Sequence, residues 1–451
     1  MKKAIIFLIS LCLILGMYAP LGASALYNSA VEVKTEIYYI ASLDTGTVLF
    51  EKDSLKQASP ASLTKIITSI VALENCENLE TVVTVKEESI RLLDGTGSSL
   101  GGIKPGEQIT MKNLLYYLLI SSANEAAMII ADYIGGGSVE KFVEMMNETA
   151  KRLGCTNSQF KNPHGLDEEG HYSCAQDMAT FAKHAMTFPI FNEISNTKEY
   201  IVPATNMQGE RKITTTNFML SSGYKEYYLP EAKGIKTGST TKAGKCLVTT
   251  ATKDGYSYIA VMMKAPYYDH DKDGYKENFA FIDCKKMLEW VFDNIKLKIV
   301  ADPTKMVTEV AVKYGGNKTD HVKLVPEKEC TALVPVNVDS QSVLIEPVKG
   351  SIPEFVEAPV KKGTVIGEAV IRYAGEEIAR VKLVASEDVK LNVFLMIFGK
   401  IGDIVKSPVF LIFVAIVVAV ILFFIGANIY VNRNRRRKRI KVFNYRDING
   451  R

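Results

Sequence analysis

The spacing of apolar residues predicts helices in two parts of the chain. Ser59 is a candidate helix cap, and Pro60 suits a first helical position. The apolar residues that follow recur at helical spacing: Leu63, Ile66, Ile67, Ile70 and Val71. A second helical stretch, residues 111–120, stops at the polar run 121–124 and then resumes. Two helices therefore flank a polar elbow at residues 121–124.

Strand-like runs lie before and after these helices. Residues 36–53 read as two strands joined by a turn, and residues 233–263 read as successive strands whose last pair turns at 254–255. Residues 277–295 form a strongly amphipathic helix. Helices and antiparallel strands thus alternate in blocks, which predicts an α+β domain over residues 26–298.

The pattern changes after residue 298. Residues 299–388 contain short β-like runs punctuated by Gly and Pro, which predicts a second, smaller all-β domain. Residues 389–407 are amphipathic and predict a helix on a membrane surface. Residues 408–431 carry no charged side chain and are long enough to form one transmembrane helix. The basic run in residues 432–451 predicts that this tail lies in the cytoplasm.

The amino-terminal residues 1–25 read as a signal peptide. Two lysines precede an apolar core, and Ala25 ends a small-residue cleavage site. We therefore expect the protein to be exported and to be anchored in membrane lipid by its C-terminal end. Of the seven cysteines, all but Cys12 remain after cleavage, and the sequence favours no pairing among them.

Composition excludes several classes of protein. The chain has 451 residues, of which 47% are hydrophobic and 23% are charged, and these values exclude disordered and fibrous proteins. The formal net charge is +4, and much of this excess comes from the C-terminal basic cluster. The bulk of the chain is therefore not a nucleic-acid surface, and we expect no nucleic-acid partner.

Three polar motifs stand in order along the predicted elements. Ser62 and Lys65 share one face of the first helix, because positions three apart are neighbours there. The elbow contributes Ser122-Ala123-Asn124, and a strand contributes Lys236-Thr237-Gly238. A helix start, an elbow and a strand carrying these residues in this order indicate a serine nucleophile activated by a lysine.

These motifs resemble those of the penicillin-binding D-alanyl-D-alanine carboxypeptidases of low molecular mass. Residues 41–53, 162–173 and 236–255 are also similar to that family, as is a β domain followed by a membrane attachment. The resemblance implies the penicillin-binding/β-lactamase-like transpeptidase fold. Two features depart from the family. Ala123 stands where glycine is common, and the chain is expected to cross the membrane where many members use an amphipathic helix.

Acyl-transfer chemistry suggests roles for the first two motifs. Ser62 is expected to attack a peptide carbonyl and form an acyl-enzyme. Lys65 must be neutral to take the serine proton, so burial and the nearby cation Lys236 are expected to lower its pKa. Ser122 can pass a proton toward the leaving amine, with Lys236 as its electrostatic partner. Asn124 can fix Lys65 and hold a substrate amide.

The strand motif is expected to bind the end of the substrate. Lys236 and Thr237 suit a terminal carboxylate, and Gly238 lets the strand approach the substrate backbone closely. By resemblance, the backbone N–H groups of Ser62 and Ser239 form the oxyanion hole. No metal ion and no organic cofactor is implied.

The expected activity is removal of the terminal D-alanine from peptidoglycan stem peptides outside the membrane, with β-lactams as inhibitors that acylate Ser62. A β-lactamase is an alternative with the same motifs, although no separate activating glutamate can be assigned from spacing. A non-catalytic penicillin-binding sensor is the other alternative. Against the sensor, residues 432–451 are too few to form a signalling domain.

Other polar groups have simpler interpretations. His164 has two interpretations: it borders the site, or, as we favour, it is a loop histidine that the backbone satisfies. The run DHDKDG at 269–274 resembles the first half of a calcium loop, but the twelfth position is Ala280 rather than glutamate, so we interpret it as an acidic surface loop. Arg211 and Lys264 are interpreted as surface charges.

Overall fold

The computed structural model describes residue 27 and residues 30–316, 319–338 and 342–446, with side chains as far as 436. The predicted signal peptide lies outside these residues. The described chain divides into two compact units with the main boundary between Lys298 and Ile299, and two short pieces, 332–338 and 373–378, group with the first unit.

The strands, in chain order, are β1 Ile37–Ser42, β2 Val48–Lys52, β3 Val82–Thr84, β4 Gln108–Thr110, β5 Glu199–Val202, β6 Arg211–Thr214, β7 Ala232–Thr240, β8 Gly244–Lys253, β9 Tyr256–Ala265, β10 Tyr267–Tyr268, β11 Glu277–Asn278, β12 Ile295–Ala301, β13 Thr308–Lys313, β14 His321–Pro326, β15 Cys330–Pro335, β16 Leu344–Pro347, β17 Phe355–Glu357, β18 Val365–Tyr373 and β19 Glu376–Ala385.

The α-helices are α1 Lys65–Asn75, α2 Glu87–Arg91, α3 Met111–Tyr116, α4 Asn124–Ile134, α5 Val139–Arg152, α6 Ala175–Ala185, α7 Pro189–Asn196, α8 Phe279–Asn294, α9 Val393–Lys406 and α10 Pro408–Arg446.

A five-stranded sheet organises the first unit, in the order β2-β1-β9-β8-β7. The side chains of β1 alternate between two cores, because successive residues of a strand point to opposite faces. Tyr39 packs into one core together with Ile66 of α1. Ile40 packs into the other core together with Leu288 of α8. Helices therefore cover both faces of the sheet, and β7 lies at one edge. This arrangement confirms the predicted α+β class.

A six-stranded sheet forms the second unit, in the order β16-β18-β19-β14-β13-β17. β14 pairs antiparallel with both β13 and β19, and β16 pairs antiparallel with β18, whereas β13 and β17 pair parallel. The predicted β domain is thereby confirmed. Beyond it, the described part of the chain contains one helix that is long and apolar enough to cross a membrane, at Pro408–Arg436 within α10.

The start of the first helix differs from the prediction. The chain enters α1 through a 3₁₀ turn, Ala61–Thr64, which we call the nucleophile turn, and its N-cap residue Pro60 makes no side-chain cap hydrogen bond. Ser59 is therefore not the cap. Its hydroxyl instead donates to Asp167 Oδ1 at 2.5 Å. The prediction was wrong because a distant acceptor binds the hydroxyl that local capping would have used.

Candidate active site

Ser62 and Lys65 are in hydrogen-bond contact. Ser62 lies in the nucleophile turn and Lys65 is the first residue of α1, which brings Lys65 Nζ to 2.9 Å from Ser62 Oγ. The same nitrogen lies 2.6 Å from Asn124 Oδ1 and 2.7 Å from the carbonyl oxygen of His164. The lysine side chain is fully buried. One nitrogen thus joins the serine to two distant segments.

The environment favours the neutral form of Lys65. Burial lowers its pKa well below the usual value, the positive charge of Lys236 lowers it further, and Glu125 opposes this shift. A neutral amine has two N–H donors and one lone pair. Asn124 and His164 offer only carbonyl oxygens to it, so they take the two N–H groups. The lone pair then faces the Ser62 hydroxyl, as a general base requires.

The elbow aims Asn124 at this lysine. Helix α3 widens into a π turn at Tyr117–Ser121, and Ser122 then adopts a left-handed conformation with φ of 62°. The N–H of Ala123 donates to the carbonyl of Tyr117 at 3.0 Å, which closes the elbow, and Asn124 begins α4. Ala123 has a φ of −62°, so its backbone conformation does not require the glycine common in similar sequences.

Ser122 is buried, and it is not among the residues that line the cleft over Ser62. It is 7% exposed. Among the described residues, its hydroxyl makes no hydrogen bond to Lys65 or Lys236. Lys236 is almost fully buried, its Nζ donates to the carbonyl of Thr237 at 2.9 Å, and burial lowers its pKa to about 7.

Strand β7 passes directly beside the nucleophile turn. A Cβ on Gly238 would lie 3.1 Å from the carbonyl oxygen of Pro60 and 3.2 Å from the backbone nitrogen of Ser62. Only glycine leaves room for this approach. The neighbouring Thr237 shares a 2.6 Å hydrogen bond with the hydroxyl of Thr216, a contact that no motif in the sequence indicates.

A cleft of about 520 Å³ opens over the nucleophile. Ser62, Asn124 and Ser239 line it, whereas Lys65 and Lys236 are buried. Three segments supply the rest of the lining. They are Thr96, Gly97, Ser98 and Ser99, then His164, Gly165, Leu166 and Asp167, and finally Thr240 and Thr241. The first of these segments belongs to a glycine-rich connection between α2 and β4.

His164 serves the site mainly through its backbone. Its carbonyl holds Lys65, and its ring Nδ1 accepts from the N–H of Leu166 at 3.2 Å. Burial, followed by the charges of Lys65 and His171, lowers the pKa of His164 to about 3. The neighbouring Gly165 packs so closely on the nucleophile turn that a Cβ there would lie 1.9 Å from the carbonyl oxygen of Ala61. His164 therefore fits both interpretations, because it lines the cleft and its ring accepts a backbone hydrogen bond.

The interpretation of Arg211 as a surface charge was wrong. Its side chain is only 18% exposed and forms an ion pair with the fully buried carboxylate of Glu107. No sequence pattern indicates this pair, because the two residues are far apart in the chain. Lys264 pairs with Glu36 at 3.3 Å, and both side chains are exposed.

The acidic run 269–274 is a surface loop that accepts hydrogen bonds from its own backbone. Asp269 accepts from the N–H of Gly274 at 3.0 Å, and Asp273 accepts from the N–H of Tyr275 at 2.8 Å. Its three aspartates offer oxygens within 4.8 Å of one another. The backbone donors satisfy part of this cluster, whereas Asp269 Oδ1 is buried without a hydrogen-bond partner among the described residues.

A serine beside a buried lysine whose pKa is lowered, under a cleft bordered by an edge strand, defines a serine acyl-transfer enzyme of the penicillin-binding type. Comparison with known proteins narrows this class. The profile of the family described as D-alanyl-D-alanine carboxypeptidase matches residues 24–267, and the profile of the penicillin-binding protein 5 C-terminal domain matches residues 297–391. The chain belongs to the D-alanyl-D-alanine carboxypeptidase family.

Individual relatives agree with this assignment. The chain is 32% identical over 364 residues to D-alanyl-D-alanine carboxypeptidase DacF of Bacillus subtilis, covering 80% of this chain and 88% of the relative. It is 29% identical to DacC of Escherichia coli, covering 87% and 92%. Penicillin-binding protein 5 of Haemophilus influenzae is a similar solved structure, with a TM-score of 0.59 and 27% identity over 80% of this chain and 98% of that one.

Proposed function

We propose that this protein is a serine D-alanyl-D-alanine carboxypeptidase that removes the terminal D-alanine from peptidoglycan stem peptides, with Ser62 as the nucleophile. Membership of the family supports the reaction. One observation carries the assignment of the nucleophile. Lys65 Nζ lies 2.9 Å from Ser62 Oγ, and both its other partners are carbonyl oxygens.

The first step forms the acyl-enzyme. Ser62 Oγ attacks the carbonyl carbon of the penultimate D-alanine while its proton passes to Lys65. The carbonyl oxygen becomes negatively charged and is stabilised by the backbone N–H groups of Ser62 and Ser239. The carbon–nitrogen bond then breaks. The proton held by Lys65 then passes by way of the Ser122 hydroxyl to the departing amine, so Lys65 is neutral again for the second step, and Lys236 supports Ser122 electrostatically.

The second step hydrolyses the ester. Water attacks the acyl carbon, one of its protons passes to Lys65, and the oxygen of Ser62 leaves and regains a proton. The shortened peptide departs with a new carboxylate. The nucleophile, the proton carriers and the oxyanion donors of this scheme are all groups of the chain, so the scheme implies no metal ion or organic cofactor.

The remaining site residues bind the substrate. Lys236 and Thr237 take the terminal carboxylate, while Asn124 holds a peptide amide. Gly238 allows the peptide to lie along the edge of β7. β-Lactams acylate the same serine because they present a strained amide to it.

We propose the following arrangement at the membrane. Residues 1–25 direct export and are removed, residues 26–298 form the extracytoplasmic catalytic domain, and residues 299–388 form the β domain. Residues 389–407 lie on the membrane surface, 408–431 cross it, and 432–451 remain in the cytoplasm. The apolar helix and the basic residues that follow it support this orientation.

The test measures D-alanine release from a pentapeptide ending in D-Ala-D-Ala, using the full chain in detergent. Ser62→Ala is the decisive variant. Ser69→Ala is the matched control, because Ser69 is also a buried serine near the start of the first helix but donates to the carbonyl of Ile66. Release that Ser62→Ala abolishes and Ser69→Ala preserves is expected. Release that survives in Ser62→Ala would refute the assignment.

A labelled penicillin distinguishes the alternatives. We expect a covalent adduct on the wild-type protein and none on Ser62→Ala. An adduct without any D-alanine release would favour a penicillin-binding sensor. Rapid turnover of penicillin without D-alanine release would favour a β-lactamase.

A further inference from the structure

Glu125, the residue after the Ser122-Ala123-Asn124 motif, binds a row of backbone donors. Its Oε1 accepts from the N–H groups of Gly101 at 2.5 Å, Gly102 at 2.8 Å and Ile103 at 3.4 Å. Glu125 is 1% exposed, so these bonds are shielded from water. A carboxylate that accepts several N–H bonds holds the donating segment strongly.

The three donors belong to residues 96–103, which we call the cleft strap. The strap is attached to the elbow at further points. The N–H of Asn124 donates to the carbonyl of Ser99 at 2.9 Å. A Cβ on Gly101 would lie 2.5 Å from the ring of Tyr117, so the strap backbone packs directly on the residue that closes the elbow.

The strap also forms part of the cleft wall. Thr96, Gly97, Ser98 and Ser99 line the cleft beside Ser62 and Asn124. Residues 97–103 have no helical or strand structure, so a ladder of backbone bonds does not hold them in place. Individual hydrogen bonds therefore hold the strap, and Glu125 accepts three of them, while Gln208 Nε2 donates one more to the carbonyl of Gly102 at 3.0 Å.

We propose that Glu125 is a positioning residue for the substrate, which fixes the cleft strap as the wall against which the stem peptide lies. The inference rests on the proposed function for its substrate. Loss of this wall should affect two kinds of ligand differently. A stem peptide extends along the cleft and uses the wall, whereas a penicillin is small and uses the inner site at Ser62, Asn124 and Thr237.

The experiment compares the full chain in detergent with Glu125→Ala, Glu125→Gln and Glu144→Ala. Glu144 is an exposed glutamate of α5 and serves as the matched control. For each protein, kcat and KM are measured for D-alanine release from the pentapeptide, together with the second-order rate of acylation by a labelled penicillin. Hydrogen exchange of residues 99–103 reports on the strap itself.

Glu125→Ala is expected to raise KM for the pentapeptide about tenfold or more, while kcat and penicillin acylation stay within about threefold. Glu125→Gln retains one carbonyl acceptor, so its KM should rise less, and Glu144→Ala should match the wild type. Exchange at 101–103 should accelerate in Glu125→Ala. An unchanged KM would overturn the inference, as would penicillin acylation that falls as far as peptide hydrolysis.

A second variant covers a failure of Glu125→Ala to fold. Gly101→Ala displaces the strap through its contact with Tyr117 and leaves Glu125 in place, so it should also raise KM selectively. A wild-type protein that releases no D-alanine would refute the proposed function instead. In that case the exchange measurement still decides whether Glu125 holds the strap.

Discussion

Lys65 Nζ lies 2.6 Å from Asn124 Oδ1, although 59 positions separate the two residues in the chain. This contact joins the start of α1 to the start of α4. Because the amide oxygen takes one N–H of the amine, it helps to direct the lone pair of Lys65 toward Ser62. The first two motifs therefore act as one hydrogen-bonded unit. A substitution of Asn124 should change the pKa of Lys65.

Replacing this amide with a carboxylate should change the pH dependence of the reaction. In Asn124→Asp a negative charge beside Lys65 favours the protonated amine and raises its pKa. Only the neutral amine accepts the serine proton, so the acid limb of the kcat/KM profile should move to higher pH. Activity at neutral pH should fall by a factor of about 10² or more. The pH profile of D-alanine release measures both effects.

Asn75→Asp provides the control, since Asn75 lies at the exposed far end of α1. It should retain the wild-type profile. An acid limb in Asn124→Asp that coincides with the wild type would contradict the role of Lys65 as the base.

The buried Lys236 should lower stability at neutral pH. Its folded-state pKa is about 7 and its ordinary value is 10.5, so the unfolded chain binds more protons between these values. Stability therefore rises with pH across this window, and the cost of burying the lysine is largest below pH 7. Lys236→Met should raise the free energy of unfolding at pH 7 by on the order of 1–3 kcal/mol while impairing activity.

Denaturant unfolding at pH 7 and pH 10 measures this change. The gain in Lys236→Met should shrink at the higher pH, where the wild-type lysine is neutral in the folded state. Lys264→Met, which alters an exposed ion pair, is the control and should change little. An equal gain at both pH values would show that titration of Lys236 is not its cause.

The approach of β7 to the nucleophile turn should not tolerate a methyl group. Gly238→Ala places a Cβ within 3.2 Å of the backbone nitrogen of Ser62, so the strand and the turn must separate. A displacement of a few tenths of an ångström at the oxyanion-binding nitrogen should lower penicillin acylation by about 10². Gly209→Ala is the control, because nothing lies within 4 Å of that position. Acylation kinetics that remain wild-type in Gly238→Ala would contradict the predicted geometry.

The ion pair between Arg211 and Glu107 should contribute strongly to stability, because Glu107 is fully buried. Arg211→Ala leaves that carboxylate without its cation and should lower the free energy of unfolding by about 3 kcal/mol. Thermal unfolding monitored by circular dichroism measures this loss. Lys212→Ala removes a neighbouring lysine whose pair with Glu199 is exposed, and it should have an effect below about 1 kcal/mol. Equal effects in the two variants would contradict the expected role of burial.

The sequence by itself determined which residues can do the chemistry. Ser62 and Lys65 are three positions apart, so helical geometry alone predicts that they are neighbours. The apolar periodicity predicted α1, α3, α4 and α8 and the strands β1, β2 and β7–β9, because the period of burial follows directly from backbone geometry.

Only the tertiary structure decided how distant segments meet. The carbonyl of His164, 99 positions from Lys65, completes the partners of the lysine. The hydroxyl of Ser59 binds Asp167 instead of capping a helix, and Arg211 is held by a buried carboxylate. These contacts depend on the packing of the whole unit, which sets which polar groups lose water and must find partners. The local sequence pattern does not show which polar groups lose water, because desolvation is a property of the folded interior.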